Sequence, residues 1–167
     1  LHAGVAGGAD IILIPEIPYD IDKVVEAINK RSKDGKGFTI LAVAEGAISK
    51  EDAKLSKKEL KAKKKETKYP SVSYEVAAQI QERTGNEVRV TVPGHMQRGG
   101  SPCAYDRVLC TQLGAHAAKL ILDEDYGYMV GMIDGQTRKV PLGDVAGKLK
   151  MVQPDCQLIK EAKLVGI

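Results

Sequence analysis

The residues best placed to do chemistry lie in Gly94-His95-Met96-Gln97-Arg98-Gly99-Gly100-Ser101-Pro102, where an imidazole and a guanidinium stand three positions apart between glycines. Arginine forks onto phosphate oxygens, imidazole adds a directional donor, and glycine lets the backbone come close to a ligand. Directly upstream, Glu87-Val88-Arg89-Val90-Thr91-Val92 alternates as a strand does and carries a further arginine. Taken singly, His95 reads as a polar loop residue or a ligand donor, and Arg98 as a surface cation or a phosphate fork. Taken together with their glycines, they favour the grip on a phosphate monoester. A long helix starting at Ser101–Pro102 adds the positive end of its dipole to the same neighbourhood.

Glu45 closes an apolar run and is followed by Gly46. A carboxylate at the carboxyl end of a parallel strand sits where open α/β sheets place ligands. It reads as an acceptor for substrate hydroxyls or as a solvated strand end. Glu16, after Pro15, holds a similar position, but Ile17-Pro18 has the look of a turn, and Glu16 is read as solvated. The three histidines and three cysteines have no metal-ligand spacing, and no catalytic residue or metal ligand is assigned. Nor does Gly7-Gly8 make a dinucleotide fingerprint, since no strand precedes it.

Elements that would carry these residues follow from the pattern. His2 to Gly8 reads as the end of a helix, and Asp10 to Ile14, stopped by Pro15, as a buried parallel strand. Ile21, Val24, Val25 and Ile28 keep helical spacing behind an Asp20 cap. Phe38 to Ala44 is a second strand, so strand, helix and strand imply parallel pairing with a right-handed crossover. Ser49 and Asp52 have capping-box spacing, and Ser73 opens a helix through Val76, Ala77 and Ile80 that stops at Gly85. Pro102 to about Leu122 is a long helix. Tyr128 to Ile133 and Thr137 to Val140 flank Asp134-Gly135 as a hairpin. A short helix covers Leu142–Lys150, and a last one follows Pro154.

Composition narrows the class. With 167 residues, 43% hydrophobic and 28% charged, the chain can bury a real core. Its net charge of +3 is local: Glu51 to Lys68 holds eight lysines against four acids. That run reads as a solvated helix face, a mobile insertion or a docking site for an acidic partner. The remainder carries no basic face and only one Phe and no Trp, which argues against nucleic acid as partner. Cys103 and Cys110, two helical turns apart, are too distant to bridge, so free thiols in a cytoplasmic setting are expected. No stretch approaches a membrane span. The chain starts at Leu1, inside an apolar glycine-rich segment without a basic leader, and is taken to be a fragment.

Ala6-Gly7-Gly8-Ala9-Asp10 with Ile14-Pro15-Glu16, then Ala42-Val43-Ala44-Glu45-Gly46, then Arg89 to Pro102 with Tyr105-Asp106-Arg107, resemble the C-terminal half of the 6-phosphofructokinases, specifically the longer bacterial type. The likeness runs in order through the whole chain. It implies an α/β fold with a Rossmann-like parallel sheet flanked by helices. The expected parts are a sugar-phosphate lobe over 1–100 with a lysine-rich insertion at about 50–68, a segment 101–147 crossing back to the donor lobe, and a returning helix in 148–167. The implied activity is phosphoryl transfer from ATP or pyrophosphate, with Mg²⁺, to the 1-hydroxyl of fructose 6-phosphate. Glu45 would meet the sugar hydroxyls, His95 and Arg98 the 6-phosphate, and Arg89 a neighbouring subunit's site in a homo-oligomer. The donor loop, catalytic aspartate and transition-state arginine would precede Leu1, leaving the isolated chain inactive. Asp10 matches an acidic effector-site position, and Lys36 one of two effector-loop lysines. The other is Asp34 here, which would repel a bound phosphate. A non-catalytic phosphosugar or nucleotide-binding module is the alternative.

Overall fold

Ile11–Leu13 (β1) and Leu41–Val43 (β2) pair in parallel, with Ile11 opposite Leu41 and Leu13 opposite Val43. The connection between them is helix α2, Ile21–Lys33, whose Asp20 carboxylate accepts the Asp22 N–H at 3.1 Å. That cap answers one of the amides a helix start leaves unpaired. Ile21, Val24 and Ile28 are buried on the inner face of α2, as their spacing requires. Helix α4, Val72–Thr84, brings Val76 and Ile80 to the same core, where they join Leu13, Tyr19 and Ala47. Each such aliphatic side chain contributes about 1.5–3 kcal/mol by leaving water. Helix α1, His2–Ala6, presses close: a Cβ on Gly4 would sit 2.7 Å from Ile12 Cδ1 and 3.2 Å from Ala42 Cβ.

The computed structural model describes Leu1–Ile167, in two compact units. The first comprises Leu1–Thr91 and Met151–Ile167, and its last helix, α7 (Gln157–Leu164), buries Ile159 and Ala162. Within it, the lysine-rich run forms a short 3₁₀ turn, Asp52–Lys54, and helix α3, Lys57–Glu66, which buries no residue. The second, Val92–Lys150, holds helix α5 (Ala104–Leu122), strands β3 (Tyr128–Ile133) and β4 (Gln136–Pro141), and the short helix α6 (Leu142–Val145). β3 and β4 are antiparallel, turning at Asp134 (φ 50) and Gly135 (φ 74). Two consecutive positive φ angles are what a two-residue hairpin with the right twist needs.

The α/β class, parallel pairing, long helix and hairpin are as expected. Several bounds differ. Glu87–Val92 forms no strand, because no neighbouring strand lies beside it; only Val88 packs against the core. The second strand is confined to Leu41–Val43, and Phe38 stands 73% exposed. α4 starts after Ser71 rather than Ser73. Ser49 caps the 3₁₀ turn, accepting the Asp52 N–H at 3.0 Å, whereas the helix has its own capping box at Ser56 and Glu59. The helix expected over Leu142–Lys150 ends at Val145. Cys103, Cys110 and Cys156 are free thiols.

Candidate functional site

Arg98 and His95 lie in a 3₁₀ turn, Gly94–Arg98, bracketed by Gly94 at φ 54 and Gly100 at φ 86. Both angles are in the left-handed region that only glycine enters freely, so the glycines are what let the chain fold back around these two side chains. Both are exposed, and Arg98 takes part in none of the ion pairs of the chain. A guanidinium with no internal partner keeps its whole donor fork for a ligand.

Arg89 differs. Its Nε donates to Glu87 Oε1 at 2.9 Å, and both side chains are largely exposed. Glu45 occupies the exposed tight turn after β2, closed by the Ala47 N–H on Ala44 O at 2.9 Å. Glu45 and Arg89 thus belong to the first unit, and His95 and Arg98 to the second, the boundary falling between Thr91 and Val92.

The helix start beside the motif is less open than its sequence suggests. α5 begins at Ala104, and Asp106 accepts the Cys103 N–H at 3.0 Å. The chain's own carboxylate therefore takes one of the donors that the helix dipole would offer to an anion.

Asp10 has both oxygens engaged. Oδ1 holds Arg31 at 2.7 Å and Oδ2 accepts the Ile40 N–H at 2.8 Å, clamping the starts of β1 and β2. Lys36 lies in the turn after α2, its N–H on Arg31 O at 3.0 Å. Sequence reasoning missed Arg31, which stands between Lys30 and Lys33 in the basic last turn of α2 and carries no mark that sets it apart. It also took Glu16 for a solvated turn residue. Glu16 is instead half-buried: Oε1 accepts the Val152 N–H at 2.9 Å and Oε2 is buried without a partner. Its partner lies 136 residues away, beyond the reach of any local pattern.

Residues 1–121 match the family described as phosphofructokinase. The chain belongs to the phosphofructokinase family. Among its relatives, an ATP-dependent 6-phosphofructokinase of Spirochaeta thermophila is 54% identical over 166 residues, covering 99% of this chain and 45% of the relative. A pyrophosphate–fructose 6-phosphate 1-phosphotransferase of Amycolatopsis methanolica is 41% identical, covering 93% of this chain and 45% of its own length. The chain therefore spans under half the length of these curated relatives. Among solved structures, Pichia pastoris phosphofructokinase in the T-state is 35% identical with a TM-score of 0.61, over 85% of this chain and 15% of that one. A pyrophosphate-dependent phosphofructokinase of Nitrosospira multiformis has a TM-score of 0.65 at 20% identity, over 86% of this chain and 34% of that one, a likeness of fold alone.

Proposed function

We propose that this chain supplies the sugar-phosphate-binding part of a cytoplasmic 6-phosphofructokinase, which phosphorylates fructose 6-phosphate at its 1-hydroxyl with ATP or pyrophosphate as donor. The observation that carries the reading is the glycine-bracketed His95–Arg98 turn, with an uncommitted guanidinium, inside a family match over residues 1–121. Arg98 forks onto the 6-phosphate and His95 donates beside it, each through charge-assisted or directional hydrogen bonds. Glu45 accepts from the sugar hydroxyls and so fixes the ring. Arg89 reaches into the site of a neighbouring subunit in a homo-oligomer. Its present partner Glu87 releases it cheaply, since an exposed ion pair is worth about 0–1 kcal/mol.

On this reading, none of this chain's residues is assigned to Mg²⁺. The ion belongs with the phosphoryl donor, and phosphoryl transfer draws on groups outside these 167 residues. Two preparations test the reading. The longer protein that carries this chain is expected to form fructose 1,6-bisphosphate from fructose 6-phosphate and one of the two donors. The 167-residue chain alone is expected to form none. A longer protein inert with both donors would point to a binding module without chemistry.

A further inference from the structure

Past their last ladder pair, the chains leaving β1 and β2 remain side by side. The Ala44 N–H donates to Leu13 O at 2.9 Å, Tyr19 N–H to Ile48 O at 2.9 Å and Lys50 N–H to Tyr19 O at 2.8 Å. The register that sets Ile11 opposite Leu41 is the one that sets Tyr19 opposite Ser49. Carried through the turns between these pairs, that register aligns Glu16 with Gly46, the residue after Glu45. Packing agrees: a Cβ added to Gly46 would lie 3.5 Å from Pro15 Cβ.

Glu16 has one oxygen on the Val152 N–H and the other buried without a partner. An oxygen shut away from solvent cannot accept from a substrate hydroxyl, so Glu16 is no ligand contact. A carboxylate oxygen buried without a partner costs stability. Its place is informative. Val152 is the second residue after the chain re-enters this unit at Met151, and the tether lands on the exit of β1 that flanks the Glu45 turn.

We infer that Glu16 is a positioning residue for sugar binding. It ties Met151–Ile167 to the exit of β1 and thereby holds the adjoining Glu45 turn in its binding geometry. This rests on the reading that Glu45 accepts sugar hydroxyls.

Two variants of the longer protein test it. Glu16→Ala removes the acceptor, whereas Glu16→Gln keeps an acceptor for Val152 and removes the charge. Glu16→Ala is expected to raise the KM for fructose 6-phosphate about tenfold, the loss expected from a displaced charged hydrogen bond, with kcat nearly unchanged. The Val152 amide is expected to exchange faster in the same variant, and Glu16→Gln to restore both. An unchanged KM in Glu16→Ala overturns the inference, as does a fall in kcat at constant KM. So does a Val152 amide that stays protected. If the unsubstituted protein turns over no fructose 6-phosphate, the functional reading fails on its own, and exchange at Val152 still decides whether the tether exists.

Discussion

Three arginines show how the same side chain is spent in different ways. Arg31 is committed to Asp10 at 2.7 Å, Arg89 is lightly held by Glu87, and Arg98 has no ion-pair partner within the chain. Only the last has its full fork free at no energetic cost, so Arg98 is where a substitution should act on binding rather than on folding. Arg98→Ala is expected to weaken fructose 6-phosphate binding by about 1.5–3 kcal/mol, on the order of tenfold to a hundredfold. Arg98→Lys keeps the charge but loses the planar fork and should fall between the two. Titration of the longer protein with fructose 6-phosphate measures both, and an affinity untouched by Arg98→Ala removes this residue from the site. Because the turn Gly94–Arg98 buries nothing, the urea midpoint should not move with either change.

At the level of elements, the best-defined joint is the parallel bridge of Tyr19 with Ser49, which carries the β1 and β2 exits forward. Tyr19 is 7% exposed, and burial, with Glu75, Asp52 and Glu51 adding repulsion, pushes its hydroxyl from 10.0 up to about 12. In the unfolded chain the phenol loses its proton near pH 10, while the folded chain still holds it. Over that window the unfolded state binds fewer protons, so stability falls as pH rises. The contribution is whole below pH 10 and lost by about pH 12. Urea midpoints across this window are expected to decline in the native sequence and to flatten in Tyr19→Phe; equal slopes would show that another group sets the decline. The local pattern made α2 and the hairpin legible, since the Asp20 cap, the Ile21–Ile28 spacing and the Asp134-Gly135 pair each report on adjacent residues. What stayed hidden is pairing at a distance. Alternation in Glu87–Val92 could not supply a neighbouring strand, and of its valines only Val88 reaches the core; nothing near Glu16 points to Val152. The glycine-bracketed Gly94–Arg98 segment stands out in the sequence because its residues are contiguous, whereas the Asp10–Arg31 clamp joins two elements.

Across the whole molecule, burial is unequally shared. Every fully buried residue, from Leu13 and Val76 to Ile159, lies in Leu1–Thr91 or Met151–Ile167; Val92–Lys150 has none. In the latter unit Tyr105, Val108, Ile121, Leu122 and Tyr126 are all more than half exposed, so α5 and the hairpin rest on backbone hydrogen bonds and partial packing. Hydrogen bonds exchanged with water stabilise weakly by themselves, and a helix or a two-stranded hairpin is marginal without a buried face. Protection against amide exchange follows buried contacts more than secondary structure as such. In the 167-residue chain, amides of β1, β2, α2 and α4 are therefore expected to exchange slowest and in one cooperative step. Those of α5, β3 and β4 should exchange orders of magnitude faster, even though they too are helix and sheet. Adding the remainder of the longer protein should slow the second group selectively, because that unit exposes most of the large apolar side chains that regular elements present. Exchange followed by peptide-resolved mass spectrometry distinguishes the outcomes, and α5 amides as slow as those of α2 in the isolated chain would show that Val92–Lys150 is stabilised by something other than burial.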